Sequence, residues 1–269
     1  MRAHVLRAGT IYEGDWLQAP LEPGYTLAIL DGPYGIGKAG WDKMGIEGLA
    51  DWYAPHLARV STLLAASASM YVWNTAPGLK RLDPVIRGLG WTWRIDITWD
   101  KGKTLSAAKA GEDVAWTDRT EVCGWYGRGP VIVGTRPEET GNVWRMAEDT
   151  YRGERLWSDD VKVDNRGWNW RQPLHPCQKP LAFAERMIRA STRPGERVLV
   201  PFGGTCREAV VMEWLARSTP DEARRYDACE LNQDPGRDYV AAALAQINGE
   251  DPRQKAAGQE PLFRRGVAV

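Results

Sequence analysis

The chain has 269 residues, enough for one large domain with a substantial core, and its 43% apolar and 26% charged residues exclude a disordered, collagenous or coiled-coil protein. No stretch nears the roughly 20 consecutive apolar residues of a spanning helix, and residues 1–30 lack the basic start and apolar run of a signal peptide, so a cytoplasmic protein without membrane contact is expected. The 35 basic and 35 acidic residues cancel, which argues against binding driven by net charge but permits a local basic groove.

Taken in chain order, residues 26–31 form a short apolar run ending in Asp31-Gly32-Pro33, the profile of a buried strand opening into a loop. Ile46, Leu49, Trp52, Tyr53, Leu57, Val60 and Leu64 recur at spacings that predict a helix over 46–64. A strand at 69–73, a helix near 78–88, a strand at 91–99 and a shorter strand near 121–126 follow, an alternation that favours a parallel α/β sheet. Residues 100–171 read as an inserted, loop-rich region, rich in Gly and Trp, with twelve basic and thirteen acidic residues and so no basic signature of its own. Pro180 suits the first turn of a helix reaching about Ala190. A strand at 197–200, a Gly-rich turn at 202–205, a helix at 208–216, a strand at 226–230 and an Ala-rich helix at 238–247 complete a domain over 1–248, and the polar tail at 249–269 is expected to be mobile.

Cys123, Cys177, Cys206 and Cys229 are too dispersed for a zinc pattern or a compact disulfide framework, and with only His4, His56 and His175 beside them no metal is expected. Fourteen Trp against three Phe is more flat aromatic surface than a core this size requires, so some can stack on a planar ligand. The run through Phe202, Gly203, Gly204 and Thr205 is a Gly-rich turn between strand and helix, and the next strand ends in Glu230. Glycines let backbone approach a ligand, and a carboxylate at that strand end can accept both hydroxyls of a ribose. Taken alone, Gly203-Gly204 is better explained as a plain tight turn, and the pairing with Glu230 is what favours a ligand. Asp31-Gly32-Pro33-Tyr34 places a carboxylate, a carbonyl and an aromatic ring at a strand's C-terminal edge. Carboxylate and carbonyl can accept the two hydrogens of an exocyclic amine while the ring stacks on its base, and the bland alternative is an ordinary turn.

These segments together resemble the amino-methylating DNA methyltransferases of the permuted β class. Asp31-Gly32-Pro33-Tyr34-Gly35 is similar to the family's Asp-Pro-Pro-Tyr, with Gly14-Asp15 upstream. His175-Pro176-Cys177-Gln178-Lys179-Pro180 resembles its His-Pro-Thr-Gln-Lys-Pro, and Val200-Pro201-Phe202-Gly203-Gly204-Thr205-Cys206 its Asp-Pro-Phe-x-Gly-Ser-Gly. The resemblance implies a Rossmann-like α/β methyltransferase fold with a mixed, mostly parallel sheet and helices on both faces. It implies methyl transfer from S-adenosylmethionine to an exocyclic amine in DNA, adenine because the motif opens with Asp rather than Ser. Asp31 and the Gly32 carbonyl would hold the amine, Tyr34 would stack on the flipped base, and Pro33 completes the catalytic motif. Phe202, Gly203, Gly204 and Thr205 would line the cofactor, with Glu230 on its ribose, Asp15 near the adenine, and Gln178 and Lys179 near the methionine end. The segment 100–171 would read DNA through Lys101, Lys103, Arg166, Trp168, Trp170 and Arg171, with Lys109 beside them, although packing between insert and core is the commoner role for such tryptophans and a solvated loop for such lysines. DNA is the partner implied, and a homodimer is compatible.

Three departures stand out. Gly32 replaces a proline, which suggests a looser turn. Val200 replaces an aspartate and Cys206 a glycine, which suggests weakened cofactor affinity. Two rivals follow: a cytosine-amine methyltransferase, and a non-catalytic nucleic-acid-binding relative that has lost the cofactor. Pro176-Cys177-Gln178 also echoes the nucleophile motif of carbon-5 cytosine enzymes. That reading is rejected because Asp31-Gly32-Pro33-Tyr34 already fills the catalytic place.

Overall fold

The computed structural model describes residues 1–37, 40–100, 120–131, 133–134, 141–145, 150–151, 154–155, 178–233 and 236–250. In chain order the elements are β1 (Arg2–Val5), β2 (Gly9–Glu13), β3 (Tyr25–Leu30), α1 (Leu49–Leu63), β4 (Leu64–Asn74), α2 (Ala76–Gly88), β5 (Thr92–Asp100), β6 (Thr120–Arg128), β7 (Val143–Arg145), β8 (Thr150–Tyr151), β9 (Glu154–Arg155), α3 (Leu181–Ser191), β10 (Arg197–Val200), α4 (Arg207–Ser218), β11 (Arg225–Glu230) and α5 (Tyr239–Ile247). One sheet runs β1-β2-β11-β10-β3-β4-β6-β5-β7, while β8 and β9 pair separately. The strands β2, β11, β10, β3 and β4 form a parallel run, and β6 is antiparallel to both β4 and β5.

Burial on both faces explains why the central strands are unbroken apolar runs rather than alternating ones. Leu27 and Ile29 of β3 face one core, shared with Ala184 and Met187 of α3, Val211 and Leu215 of α4 and Val240 of α5. Ala28 and Leu30 face the other, with Leu49, Tyr53, Leu57 and Val60 of α1 and Leu79, Leu82 and Ile86 of α2. Among the described residues no helix is long and apolar enough to cross a membrane.

Most expected elements are present with shifted ends. The first long helix begins at Leu49 rather than Ile46, and Leu64 opens β4, which starts ahead of the expected strand at 69–73 and ends one residue past it. The short, largely exposed β1 and the strand β2 escaped the pattern reading, which depends on apolar runs. The larger correction concerns 100–171. Thr120–Arg128 lies within that segment yet forms a full sheet strand, with Val122 through Arg128 paired to β4 and Thr120 through Gly127 to β5. The strand expected near 121–126 is thus longer at both ends, and Gly124 and Gly127 weakened its pattern, because glycines lower the strand signal. A Cβ at Gly124 would lie 2.8 Å from the Tyr126 ring, so the sheet requires the glycine there. Lys101, Lys103, Lys109, Arg166, Trp168, Trp170, Arg171, His175, Pro176 and Cys177 lie outside the described residues, as does the tail from 251.

If this two-core packing is right, Ile29→Ala, at a fully buried site, lowers unfolding stability by about 2–5 kcal/mol, whereas Ile95→Ala, at an exposed one, changes it by less than about 0.5 kcal/mol. Denaturant unfolding of the two variants provides the check.

Candidate active site

The central strands β3 and β10 are adjacent and parallel, but the chain leaves them in opposite directions. From β3 it passes through α1 to β4 on one side, and from β10 through α4 on the opposite face to β11 on the other. Such a switch point leaves a crevice beyond the strands' C-terminal ends. A cleft of about 350 Å³ occupies it, and Asp15, Asp31, Gly32, Pro33, Gln178, Lys179, Phe202, Gly203, Gly204, Thr205 and Glu230 all line it. The expected catalytic and cofactor residues are therefore brought to one place, Tyr34 alone standing outside the lining.

Four polar side chains close one end. The Lys179 ammonium donates to Asp31 Oδ1 at 2.9 Å and Oδ2 at 3.0 Å, and to the Tyr34 hydroxyl at 2.9 Å, and lies 3.0 Å from Glu121 Oε2. The Tyr34 hydroxyl lies 2.9 Å from Asp31 Oδ1 and 3.2 Å from Glu121 Oε2 and can donate its one hydrogen to either. Burial pushes the Asp31 carboxyl above its ordinary range; Lys179 pulls it back down and Glu121 pushes it up again. Two contacts here were not expected. Lys179, assigned to the methionine end, also sits on the carboxylate meant for the amine. Tyr34, meant to stack on a base, is only 4% exposed and tied by its hydroxyl into this cluster.

The other half is built from the glycine-rich turn. The Gly203 amide donates to the Cys229 carbonyl at 2.7 Å, tying the turn to β11. Glu230, at the end of β11, accepts the Gly204 amide at 2.7 Å and the Asn232 amide at 2.8 Å, one on each oxygen, and each carboxylate oxygen has a second acceptor site. Gly14 is held beside it, its amide donating to the Glu230 carbonyl at 2.8 Å, which brings Asp15 to the same rim. Gln178 accepts from the Thr205 hydroxyl at 2.9 Å.

Sequence reading missed the aromatic wall of this half. Phe202 packs against Trp52 with ring centroids 5.6 Å apart, His56 at 5.3 Å and Trp16 at 6.1 Å, and Trp16, Trp41, Trp52 and His56 line the cleft. The Trp16 indole donates to His56 Nδ1 at 2.8 Å, which requires a neutral ring with its proton on Nε2, and burial pushes the His56 pKa down in agreement. The excess of tryptophan was the available signal, but Trp52 lies on a helix whose spacing reads as core.

The three sequence departures also find their places. Gly32 is not a loosened turn. A Cβ there would lie 2.6 Å from the Tyr53 hydroxyl and 3.0 Å from the Phe202 ring, and Tyr53 donates to the Pro33 carbonyl at 3.2 Å. The Tyr53 hydroxyl thus fills the space beside Gly32. Val200 and Cys206 are 1% and 0% exposed, both packed in the core on the α4 side, and neither lines the cleft. The cost of Cys206 is conformational, a φ of 48° at the N-cap of α4. We expect Gly32→Ala to cost about 1–3 kcal/mol of stability, and clearly less when Tyr53→Phe is already present. A double-mutant cycle of unfolding free energies measures that coupling.

Glu208, in the first turn of α4, is a further cleft residue absent from the sequence reading. Burial, and secondarily the charge of Asp31, push its carboxyl up to about 7. A carboxyl whose folded pKa exceeds its unfolded value stabilises the fold while protonated and loses that contribution as pH rises through the folded pKa. In the cofactor-free protein, thermal stability should therefore fall relative to Glu208→Gln between about pH 5 and pH 7 and then level off. Melting curves of both proteins across that range decide it, and parallel curves would contradict the assignment.

A family model for DNA methylase matches residues 25–233, which span the strand before Asp31, the cluster and the glycine-rich turn. The chain belongs to the N6/N4 DNA methylase family. The type II methyltransferase M1.MboII of Moraxella bovis is 25% identical, over 87% of this chain and 93% of that protein. The DNA adenine methyltransferase YhdJ of Escherichia coli (strain K12) is 27% identical, over 90% of this chain and 83% of its own. Among solved structures, the cytosine-N4-specific PvuII DNA methyltransferase superposes with a TM-score of 0.66 at 16% identity, covering 93% of this chain and 90% of its own. A DNA modification methylase of Thermus thermophilus, complexed with S-adenosyl-L-methionine, superposes with a TM-score of 0.56 at 19% identity, covering 90% of this chain and 94% of its own. These likenesses establish the α/β methyltransferase fold. The protein is a DNA methyltransferase of a family that holds both adenine and cytosine enzymes.

Proposed function

We propose that the protein transfers a methyl group from S-adenosylmethionine to the exocyclic amine of adenine in DNA. One observation carries this reading: a half-buried carboxylate, Asp31, stands in a switch-point cleft whose other half is an aromatic wall, a glycine-rich turn and a strand-end glutamate. That donor set suits a nucleoside. Phe202, Trp52 and His56 offer faces and edges for a purine, Glu230 offers acceptor sites for ribose hydroxyls, and Asp15 sits at the same rim. When bound, S-adenosylmethionine supplies an electrophilic methyl on sulfonium sulfur.

The chain's own residues do the rest. Asp31 accepts one amine hydrogen and the Gly32 carbonyl beside it the other, which orients the nitrogen lone pair toward the methyl group. Pro33 is fixed by its carbonyl, which accepts from Tyr53 at 3.2 Å and from Asn74 at 3.3 Å. Adenine is favoured over cytosine by the acid opening the motif and by the similarity to the adenine enzyme YhdJ. The non-catalytic alternative loses its motive, because Val200 and Cys206 stay out of the cleft.

The segment around 100–171, strand β6 excepted, is where we place target recognition. Its flanks bound the cluster, since Asp100 pairs with Thr120 next to Glu121, and the stretch ending at 177 runs into Gln178 in the cleft lining. Lys101, Lys103, Arg166, Trp168, Trp170 and Arg171 remain the proposed DNA contacts.

Asp31→Ala should lower methyl transfer by about 100-fold or more while leaving S-adenosylmethionine binding nearly intact, because the lost acceptor acts mainly in the transition state. Mass spectrometry of nucleosides from DNA of expressing cells should show N6-methyladenine with the wild type and none with the variant. N4-methylcytosine would replace the adenine assignment, and a fully active variant would remove Asp31 from the chemistry.

A further inference from the structure

The Lys179 ammonium is 3% exposed and touches both oxygens of Asp31, so in this state it blocks the carboxylate that must receive the target amine. Its other anionic neighbour, Glu121 at 3.0 Å, belongs to a different element, at the start of β6. We propose that Glu121 is a positioning residue for methyl transfer, holding Lys179 so that Asp31 can engage the target amine and receive its proton. This rests on the amine-methylation reading above.

The charges argue for it. Two carboxylates and one ammonium leave the cluster at net −1 beside a nitrogen that becomes positive during transfer, a fixed counter-charge in a site shielded from water. The target nitrogen commits its lone pair to the new N–C bond as the C–S bond breaks toward sulfur, and it then carries one proton too many. Asp31 accepts that proton, becomes a neutral acid, and later releases the proton to solvent. At that moment Lys179 would be a buried ammonium facing a neutral acid, a costly state without a second anion. Glu121 supplies that anion without having to move, and the Tyr34 hydroxyl, within reach of both carboxylates, can donate its one hydrogen to whichever stays ionised.

The groups facing Asp31 are Lys179 before α3, Glu121 and Cys123 on β6, Tyr34 on its own loop, Tyr53 on α1 and Glu208 on α4. Among the described residues, Glu121 joins Asp31 in holding Lys179 within hydrogen-bond distance. The Glu121 charge raises the Asp31 carboxyl, so removing it lowers the pH at which Asp31 becomes an acceptor.

The experiment uses the full chain, unmodified plasmid DNA and tritiated S-adenosylmethionine, with kcat and KM measured from pH 5 to 9 for wild type, Glu121→Gln and Glu121→Asp. Glu121→Gln should lower kcat about tenfold or more, leave the KM for S-adenosylmethionine within about twofold, and move the acid limb to lower pH. Glu121→Asp should keep the limb in place and recover most of the rate. A Glu121→Gln enzyme with wild-type kcat and an unmoved limb overturns the inference alone. So does one that loses S-adenosylmethionine binding together with rate, since that marks a structural role. A wild type that transfers no methyl to DNA overturns the functional reading and the inference with it.

Discussion

A lysine ammonium sealed from water must be compensated, and the active end of this molecule is organised around that requirement. Lys179 is held by groups from two other parts of the chain, Asp31 and Tyr34 following β3 and Glu121 opening β6. Its own backbone is pinned as well, for its carbonyl accepts from Arg207 Nε at 2.9 Å in the first turn of α4. Four elements are thus registered against one another by a few polar contacts. Removing one partner of such a buried pair typically costs about 3–5 kcal/mol, because the other charge is left stranded. The cluster is a structural joint as well as chemical machinery.

The sheet decides where that joint can be. At β3 and β10 the chain departs to opposite sides and opposite faces, and this is where two strand ends leave room for a ligand. Asp31 follows one of these strands directly, and Pro201 and Phe202 follow the other. The neighbouring ends of β2 and β11 add Asp15 and Glu230 to the same rim. One side of the cleft is acidic and nearly dry; the other is aromatic, with amides tied to Glu230. A substrate with a charged reacting centre and a flat heterocycle matches that division.

Much of this was legible in the sequence, and the limits have physical causes. Buried parallel strands and amphipathic helices announce themselves by apolar runs and spacing, so β3, β10 and β11 and the helices α1 through α5 were readable to within a few residues at most ends. Motif residues at strand ends were also readable, since Asp31, Phe202, Gly203 and Glu230 close or follow such runs. What pattern cannot supply is pairing between distant segments. The contact between Lys179 and Asp31 went unread because nothing in the spacing shows that this side chain reaches a carboxylate 148 residues away. Glu121 was read as the edge of a short strand, and Glu208 drew no functional reading at all. Gly32 looked like a loosening because the Tyr53 hydroxyl that fills its space comes from another helix. Val200 and Cys206 looked like losses of cofactor affinity because a motif does not show which way a side chain points.

The central claim is that Asp31 is shared in sequence, first by Lys179 and then by the amine of an extruded base. A crystal structure of the full protein with S-adenosylhomocysteine and its methylation-site duplex tests it most directly. The account predicts the target amine nitrogen within hydrogen-bond distance of Asp31, with Lys179 withdrawn from at least one Asp31 oxygen and still on Glu121. A bound base whose amine lies away from Asp31, with Lys179 still on both of its oxygens, would contradict it.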